Sequence, residues 1–529
     1  MSPSKYSRYR DKIHDDDPND NSDDDLNDDA SSNESECLET NKLQTNYCKD
    51  LTKYNLRLYS LLDDKRMASD KMQQGKIPTV NIIGAGPGGI SLYHALMKNK
   101  DKKEFNVKIF ERETSPKDRW QGYHIGLNPR GIRSLLSCIP PSVASNLPKA
   151  IPNPIPNVEF HGITIADHLG NVMFKPPSKQ VKEVYELSKI TDEYCAIIGY
   201  RDRLRDVLLE GVPVQWGKKC IGFEETKNAV WAIFEGGSRE SSDILIGADG
   251  INSPVRKQKV PELQIFDYGV TFINSDIPVK KSLVERLMKT HGDGLFHKSL
   301  GIHGDWTFNV FRLIPIEQDP NYKNKDDFNE PHYRVSISYA YPSEIDTKES
   351  DGKQVDDNDP ASIIKHVKQL IRKFRPDCEM TDVLLELWDL VPKTDPNDPE
   401  KYPFKTYNPV TRRKLRDVDP LSVNSWKSSR VTLLGDAAHA MSPVLGLGTN
   451  NAIEDAYVLS QALINYSSEN YISCIQEYEK EMIKRTSADV LKSRSNALKI
   501  SSPVGYFGLI CRNSILKALN IFMNLYYAK

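Results

Sequence analysis

The first part of the chain with a clear hydrophobic pattern contains strand-like and helix-like runs in alternation. Thr79–Ile83 is a short β-rich run, Gly84–Gly89 is rich in glycine, and Ile90–Leu96 is an apolar run of helical character. This order predicts a strand, a tight turn and a helix. A second strand is predicted over Val107–Phe110, and Glu111 follows it directly.

The glycines of the turn have the spacing of a dinucleotide-binding loop. Gly84 permits the tight turn, Gly86 lets a pyrophosphate approach the backbone, and Gly89 lets the helix pack against the strand. The helix N-terminus then faces the bound anion. Glu111 lies 22 residues after Gly89, close to the spacing of about 20 for an acid that binds a ribose diol. The pattern predicts a dinucleotide site, and the alternative is an ordinary glycine turn.

Two later hydrophobic runs end in a glycine and an aspartate. Residues 243–248 lead into Asp249, and residues 430–435 lead into Asp436. Either one alone would be an ordinary strand end. The second is followed by a loop containing Gly448, which leads into a predicted long helix.

Alternating apolar and polar residues between these two motifs indicate a further sheet. The runs Trp306–Ile314 and Arg334–Tyr341 predict strands with one covered face. Asp249 and Asp436 are 187 residues apart, so a β-sheet domain over residues 265–420 would interrupt the nucleotide-binding domain.

Together, in this order, the three motifs resemble the class A flavoprotein aromatic hydroxylases, the para-hydroxybenzoate hydroxylase type of FAD-dependent monooxygenase. The resemblance covers residues 78–260 and 420–470. The segment 119–131 is similar to one that these enzymes often carry, and residues 201–209 resemble their R-x-x-L-R-x-x-L helix. The sequence departs from the family at Leu447–Thr449, where many members have Gln-Gly-Met, and this exchange bears on the contacts to the isoalloxazine ring.

The resemblance implies an α/β fold, with a Rossmann-like FAD-binding domain, a β-sheet substrate domain and C-terminal helices. The predicted divisions are an acidic, largely disordered tail at 1–76, an FAD-binding domain at 77–264 and 421–470, a substrate domain at 265–420, and a C-terminal helical segment at 471–529.

The resemblance also implies roles for four residues beyond the first turn. It assigns Asp436 to the ribityl or pyrophosphate side of FAD, Arg201 to the FAD phosphates, and Asp249 to the pyrophosphate and NAD(P)H. Gly448 would let the backbone approach the flavin ring, where a helix N-terminus stabilises negative charge. The alternatives are a simple strand-end turn for Asp436, a solvated charge for Arg201 and a purely structural role for Asp249. No catalytic residue is predicted.

The implied reaction begins with hydride transfer from NADH or NADPH to FAD. Oxygen would then form a flavin C4a-hydroperoxide that hydroxylates an aromatic or other electron-rich small molecule. The alternatives are an FAD-dependent epoxidase or other flavin oxidoreductase, and a non-catalytic flavoprotein. Neither the substrate nor the oligomeric state follows from the sequence.

Charge composition argues against a nucleic-acid partner. The chain has 71 Lys and Arg against 73 Asp and Glu, for a net charge of −2. Nine aspartates fall within residues 15–29, a composition that cannot bury enough apolar surface to fold and predicts a solvating tail or an interaction segment.

Other residue patterns bear on metals and location. The eight Cys include no C-x-x-C pair and the His show no H-x-x-x-H or H-E-x-x-H spacing, so no metal site or disulfide framework is predicted. His439 is predicted to be structural because alanines surround it, although its position also suits a base. The N-terminus lacks the apolar core of a signal peptide, and a cytoplasmic location is expected.

The last 29 residues are apolar but interrupted by polar side chains, so no transmembrane segment is predicted. Apolar residues from Ile515 to Met523 recur at helical spacing. They predict a helix that packs on its own protein, or alternatively one that lies on a membrane surface.

Overall fold

The structure is a computed structural model, and it describes residues 77–116, 118, 123–150, 163–176, 184–190, 196–291, 296–310, 330–349, 355–394, 410–423 and 426–527. The acidic tail predicted at 1–76 lies outside the described residues, as do residues 119–122 and 311–314.

The strands are β1 (Thr79–Ile83), β2 (Asn106–Phe110), β3 (His124–Leu127), β4 (Ile163–Ala166), β5 (Val172–Phe174), β6 (Ile197–Tyr200), β7 (Val214–Gln215), β8 (Cys220–Glu225), β9 (Val230–Phe234), β10 (Arg239–Ser242), β11 (Ile244–Gly247), β12 (Phe266–Lys280), β13 (Phe296–Leu300), β14 (Trp306–Val310), β15 (His332–Pro342), β16 (Thr411–Asp417) and β17 (Val431–Leu433).

The α-helices are α1 (Pro87–Lys98), α2 (Pro129–Cys138), α3 (Pro141–Ala144), α4 (Leu147–Ala150), α5 (Val184–Leu187), α6 (Arg201–Leu209), α7 (Pro254–Lys259), α8 (Lys281–His291), α9 (Glu344–Glu349), α10 (Pro360–Phe374), α11 (Glu379–Asp389), α12 (Asp436–His439), α13 (Gly448–Ile464), α14 (Tyr471–Ile500) and α15 (Tyr506–Tyr527). Two short 3₁₀ helices span Pro420–Ser422 and Pro443–Leu445.

A five-stranded parallel sheet has the order β17-β11-β1-β2-β7. Its central strands are apolar on both faces because helices and a second sheet cover them, and all four residues of β11 are buried. The predicted strand, glycine turn, helix and second strand are present as β1, α1 and β2.

Close packing of helices on this sheet depends on small residues. A Cβ on Gly88 in α1 would lie 2.6 Å from the Leu434 side chain and 3.1 Å from the Ala452 carbonyl oxygen of α13. A Cβ on Gly131 in α2 would overlap the Asn450 side chain. The first helix, α2 and α13 therefore form one tightly packed layer above the sheet.

A seven-stranded sheet has the order β16-β12-β15-β14-β13-β4-β5. One face packs on α10 and α11 through a core that includes Ile273, Ile277, Val335, Val367 and Leu384. The predicted strands over 306–314 and 334–341 correspond to β14 and β15 in the described residues. The sheet also takes β4 and β5 from residues 163–174, and the limits of the domains remain a prediction.

The two remaining sheets of the described residues are small. An antiparallel three-stranded sheet has the order β10-β9-β8, and β3 pairs with β6 in an antiparallel ribbon. Among the helices that the structure describes, none has the length and hydropathy needed to cross a membrane.

Candidate functional site

The glycine turn at Gly84–Gly89 meets the turn at Asp249, the first of the two aspartate turns, at the carboxyl edge of the parallel sheet. Gly84 has φ of 112°, and a Cβ there would overlap the carbonyl oxygen of Ala248, next to Asp249. The Gly84 amide donates to Phe110 O at 2.7 Å, and the Ala248 amide donates to Ile83 O at 2.7 Å. This edge is where ligands bind in open α/β sheets.

Gly86 and Gly89 have different surroundings. A Cβ on Gly89 would overlap the Gly84 carbonyl oxygen, so Gly89 is needed for the turn to fold back on itself. A Cβ on Gly86 would have only the Arg201 guanidinium within reach, at 4.0 Å. Gly86 thus leaves open space beneath a cation at the N-terminus of α1.

The Glu111 carboxylate lies at the end of β2 and supports the glycine loop. Its Oε2 accepts from the Ala85 amide at 2.9 Å, and its Oε1 accepts from the Arg112 amide at 2.8 Å. A carboxylate offers about four acceptor sites, so these bonds leave capacity for hydroxyl donors. Whether Glu111 binds a ribose remains a prediction.

Arg205 is a contributor that the sequence pattern did not single out. Its Nε donates to the Ala85 carbonyl oxygen at 2.9 Å, and its Nη2 lies 3.7 Å from Glu111 Oε2. Its guanidinium also lies 5.4 Å from the centroid of the Trp216 ring. Glu111 and Arg205 thus hold the two successive peptide groups on either side of the Ala85 Cα, which fixes the loop.

Arg201 on α6 and Asp436 on α12 lie close enough for their charges to interact. Arg201 is the first residue of α6, and its guanidinium lies 5.6 Å from the centroid of the Tyr123 ring. The Asp436 residue is exposed to solvent, although many protein atoms surround its carboxylate. That enclosure raises the pKa of Asp436, while His439 and Arg201 act to lower it.

Both carboxylate oxygens of Asp249 are buried, and among the described residues no donor, including the nearby Ser253 hydroxyl, reaches them with good hydrogen-bond geometry. Burial raises its pKa to about 6, against the lowering effect of Ser253 and Arg256. Unpartnered buried carboxylates are rare, because each loses its hydration without compensation. Asp249 is therefore suited to receive a ligand donor or a proton.

The second aspartate turn lies close to the start of α13. A Cβ on Gly448 would lie 3.8 Å from Asp436 Oδ1 and 3.7 Å from the Met441 side chain. Gly446, just before it, has φ of 65° and no heavy atom within 4 Å of an added Cβ. The N-terminus of α13 thus borders open space beside Asp436.

Asn450 holds this helix N-terminus in place and was not singled out from the sequence. Its Oδ1 accepts from the Asn128 amide at 2.9 Å, and its Nδ2 donates to the carbonyl oxygens of Gly126 and Gly446 at 2.8 and 2.9 Å. An asparagine in the first turn of the predicted helix is the sequence signal that could have found it.

His439 is fully buried, as its alanine neighbours predicted. Its Nε2 lies 2.6 Å from Asp455 Oδ2, which also accepts from the Gly435 amide at 2.8 Å. Arg485 donates to Asp455 Oδ1 at 2.8 Å. These bonds tie the second aspartate turn to α13 and α14, which is a structural task.

The residues present fit an extended dinucleotide. An added Cβ would meet no heavy atom within 4 Å at Gly446 and none closer than 3.7 Å at Gly86 or Gly448, and the N-termini of α1 and α13 lie at these glycines. The two unpartnered oxygens of Asp249 lie beside the first turn. A diphosphate suits Arg201 and the N-terminus of α1 because both present positive charge.

The seven-stranded sheet lies against this half of the molecule through polar contacts. Ser336 on β15 hydrogen-bonds His124 on β3. The Arg334 guanidinium lies 4.1 Å from the centroid of the Tyr200 ring, 2.6 Å from Asp276 Oδ2 and 3.6 Å from Asp202. The face of the sheet that carries these side chains is therefore the one that meets β3, β6 and α6.

Comparison of the sequence with known families and proteins finds flavoproteins. Residues 406–491, which include Asp436 and Gly448, match the family described as FAD binding domain. The FAD-dependent monooxygenase thnD of Trichoderma harzianum is 24% identical over 435 residues, covering 78% of this chain and 92% of that protein. The FAD-dependent monooxygenase adaC of Aspergillus niger is 22% identical over 455 residues, covering 81% and 94%.

Solved structures share the fold. Klebsiella pneumoniae HpxO, complexed with FAD and uric acid, superposes with a TM-score of 0.59 at 20% identity, covering 85% of this chain and 95% of that one. A salicylate hydroxylase substrate complex superposes with a TM-score of 0.56 at 19% identity, covering 86% and 96%. The predicted fold class is confirmed.

Proposed function

We propose that this chain, an FAD-dependent monooxygenase of the class A flavin hydroxylase type, hydroxylates an aromatic or other electron-rich small molecule with NADH or NADPH and O₂ as co-substrates. FAD and the enzyme class follow from the family match and the relatives. The nicotinamide, the oxygen step and the substrate are parts of the proposal.

The observation that carries the proposal is the convergence of three turns that are far apart in the chain. Gly84 touches Ala248, a Cβ on Gly88 would overlap Leu434 just before the Asp436 turn, and the Arg201 charge acts on Asp436. A ligand that lies along this edge of the sheet would contact all three turns. FAD is such a ligand, and when bound it supplies hydride acceptance and oxygen activation.

Each residue of the groove has a task that its position supports. Arg201 and the N-terminus of α1 bind the diphosphate, Glu111 accepts from ribose hydroxyls, and Asp436 accepts from the ribityl hydroxyls. Gly448 lets the backbone approach the ring, so that the N-terminus of α13 stabilises negative charge on it. The seven-stranded sheet covers the ring and excludes water.

Purified protein tests the proposal directly. It should bind FAD, and a substrate screen should find compounds that stimulate NAD(P)H oxidation with incorporation of one atom of labelled O₂ into product. Product analysis separates hydroxylation from epoxidation. Colourless protein that cannot be reconstituted with FAD would refute the cofactor, and NAD(P)H oxidation that never yields oxygenated product would refute the monooxygenase reaction.

For location, we propose a cytoplasmic protein whose helix α15 lies on an anionic membrane surface. One side of α15 docks on the protein, where Arg512 donates to Gly301 O at 2.8 Å and Asn520 Oδ1 accepts from the Lys175 amide at 2.7 Å. The other side is exposed and apolar, with Phe507 80% and Phe522 62% exposed. After Asp489 the chain has six Lys and Arg and no acidic residue, which complements anionic lipid.

A further inference from the structure

Lys298 lies on the face of the seven-stranded sheet that meets the nucleotide-binding half. Val310 pairs with Ser336, which contacts His124, and Phe308 lies two residues before Val310 on β14. Phe308 pairs directly with Lys298 on β13. Directly paired residues, and residues two apart on one strand, share a face of a sheet.

Chain segments that border the proposed FAD site pack against this face of the seven-stranded sheet. Trp306 belongs to a cluster against which Val444 packs, and Val444 lies in the turn that leads from Asp436 to α13. Phe308 packs with Val310 against Ile198 of β6, three residues before Arg201. Trp306 and Phe308 therefore pack near residues of the two chain segments that lead to α13 and to Arg201.

Lys298 is a buried cation without a counter-charge. The residue is 7% exposed, and its ammonium lies 5.6 Å from the ring centroids of both Trp306 and Phe308. Among the described residues, none makes a hydrogen bond or ion pair with its side chain. Burial lowers its pKa to about 8, so that it is still largely protonated at neutral pH.

An unpaired buried ammonium costs free energy that two aromatic rings offset only in part. Two other buried cations at this sheet do have partners: Arg334 on β15 pairs with Asp276 at 2.6 Å, and Arg375, at the end of α10, pairs with Asp305 at 2.6 Å. The missing anion at Lys298 is therefore a local feature of this chain rather than a general property of the sheet.

We propose that Lys298 binds the anionic group of an aromatic substrate, which lies against the partly exposed ring of Phe308. The substrate class is an aromatic acid or another aromatic compound that is anionic at neutral pH. This inference rests on the proposed function, because it assumes that the substrate lies between the sheet and the flavin.

The test uses FAD-loaded protein and matched pairs of ligands that differ in charge. Benzoate, salicylate and anthranilate are each compared with the corresponding amide by titration of the flavin absorbance spectrum. At least one acid should bind about tenfold or more tightly than its amide, the scale of one charge-assisted hydrogen bond. If no acid binds more tightly than its amide, the proposal is overturned.

Substitutions of Lys298 test whether its side chain causes the preference for the acid over the amide. Lys298→Met should remove the preference for the acid and leave the amide affinity unchanged, whereas Lys298→Arg should retain it. Lys280→Met, at an exposed end of β12, is the control and should change neither affinity. A Lys298→Met protein that still prefers the acid contradicts the proposal.

Two readouts keep this inference separate from the proposed function. Bound FAD is quantified in every variant, and Lys298→Met should keep full occupancy and a melting temperature at least equal to that of the unchanged protein, because methionine removes an unpaired buried charge. Loss of FAD binding by the unchanged protein would refute the proposed function. Full FAD binding without any preference for acids would refute only the role of Lys298.

Discussion

At the scale of single residues, two charged side chains hold the two peptide groups that flank Ala85 in the glycine loop. Glu111 accepts from the Ala85 amide, and Arg205 donates to the Ala85 carbonyl oxygen. Both contacts are buried, so the loop is fixed before any ligand arrives. Preorganisation of this kind reduces the entropy cost of binding.

Removal of either proposed carboxylate acceptor should weaken FAD binding. Glu111→Ala and Asp436→Ala are each expected to cost about 1–3 kcal/mol of FAD affinity, the scale of losing charged hydrogen bonds. Equilibrium dialysis or flavin fluorescence measures the change. Glu235→Ala, which removes an exposed carboxylate paired with Lys219, is the control. Full flavin occupancy of both variants at micromolar protein would contradict these assignments.

Two arginines on one helix provide a sharper comparison. Arg201 lies over Gly86, whereas Arg203 stacks on the Tyr200 ring with its guanidinium 5.4 Å from the ring centroid. Arg201→Ala should lower FAD affinity by about 1.5–3 kcal/mol, and Arg203→Ala by no more than about 0.5 kcal/mol. Equal losses in the two variants would mean that Arg201 has no special contact with the phosphates.

At the scale of elements, α13 is fastened by a buried charge network. Asp455 accepts from the Gly435 amide and from Arg485, and it lies 2.6 Å from His439. Burial alone would raise the pKa of Asp455, but His439 and Arg485 outweigh it and lower the pKa to about 2. The network therefore connects the second aspartate turn to the start of α13 and to α14.

Asp455→Asn should destabilise the protein by about 3–5 kcal/mol, because it leaves Arg485 and His439 without their shared buried anion. Glu481→Gln, which removes a partly exposed partner of Arg485, should cost less than about 1 kcal/mol. Urea unfolding followed by circular dichroism measures both. A cost for Asp455→Asn as small as that of the control would show that the network does not fasten α13.

The depressed pKa of Asp455 also predicts a pH dependence. The stabilisation from its ionised form is present above its unfolded-state pKa of about 4 and is lost as pH falls toward 2. The difference in unfolding free energy between the unchanged protein and Asp455→Asn should therefore shrink over this window. A difference that stays constant between these pH values would contradict the assignment.

The exposed apolar side of α15 leads us to predict that the protein binds anionic membranes. The full chain should co-sediment with vesicles that contain anionic phosphatidylserine, less so at high salt, and weakly with neutral phosphatidylcholine vesicles. Phe507→Glu with Phe522→Glu should abolish this binding. Leu421 is 59% exposed and lies outside α15, so Leu421→Glu is the control and should not abolish vesicle binding. Concentration-dependent dimerisation without vesicle binding would instead identify a second copy as the occupant of this face.

At the scale of the whole molecule, two sheets enclose the groove from opposite sides. The parallel sheet contributes turns from its carboxyl edge, and the seven-stranded sheet contributes a face that carries Lys298, Trp306 and Phe308. Polar contacts by Arg334 and Ser336 link this face to β3, β6 and α6. This arrangement places Lys298 on the face of the seven-stranded sheet that meets the nucleotide-binding half.

The sequence alone determined the features that depend on local geometry. The glycine turn and its flanking strand and helix could be predicted because Gly84 needs a positive φ and Gly89 admits no side chain, and both requirements act over a few residues. The order of the three motifs likewise predicted the fold class and the cofactor.

Only the tertiary structure decided which side chains meet. Arg201 and Arg205 lie near the glycine loop while Arg203 does not, because residues four apart share one face of α6 and the intervening residue points elsewhere. Lys298 lacks a partner because β13 pairs with β14 and β4, strands from separate parts of the chain that bring no carboxylate to it among the described residues. Contacts of this kind depend on long-range pairing, which no local pattern of residues encodes.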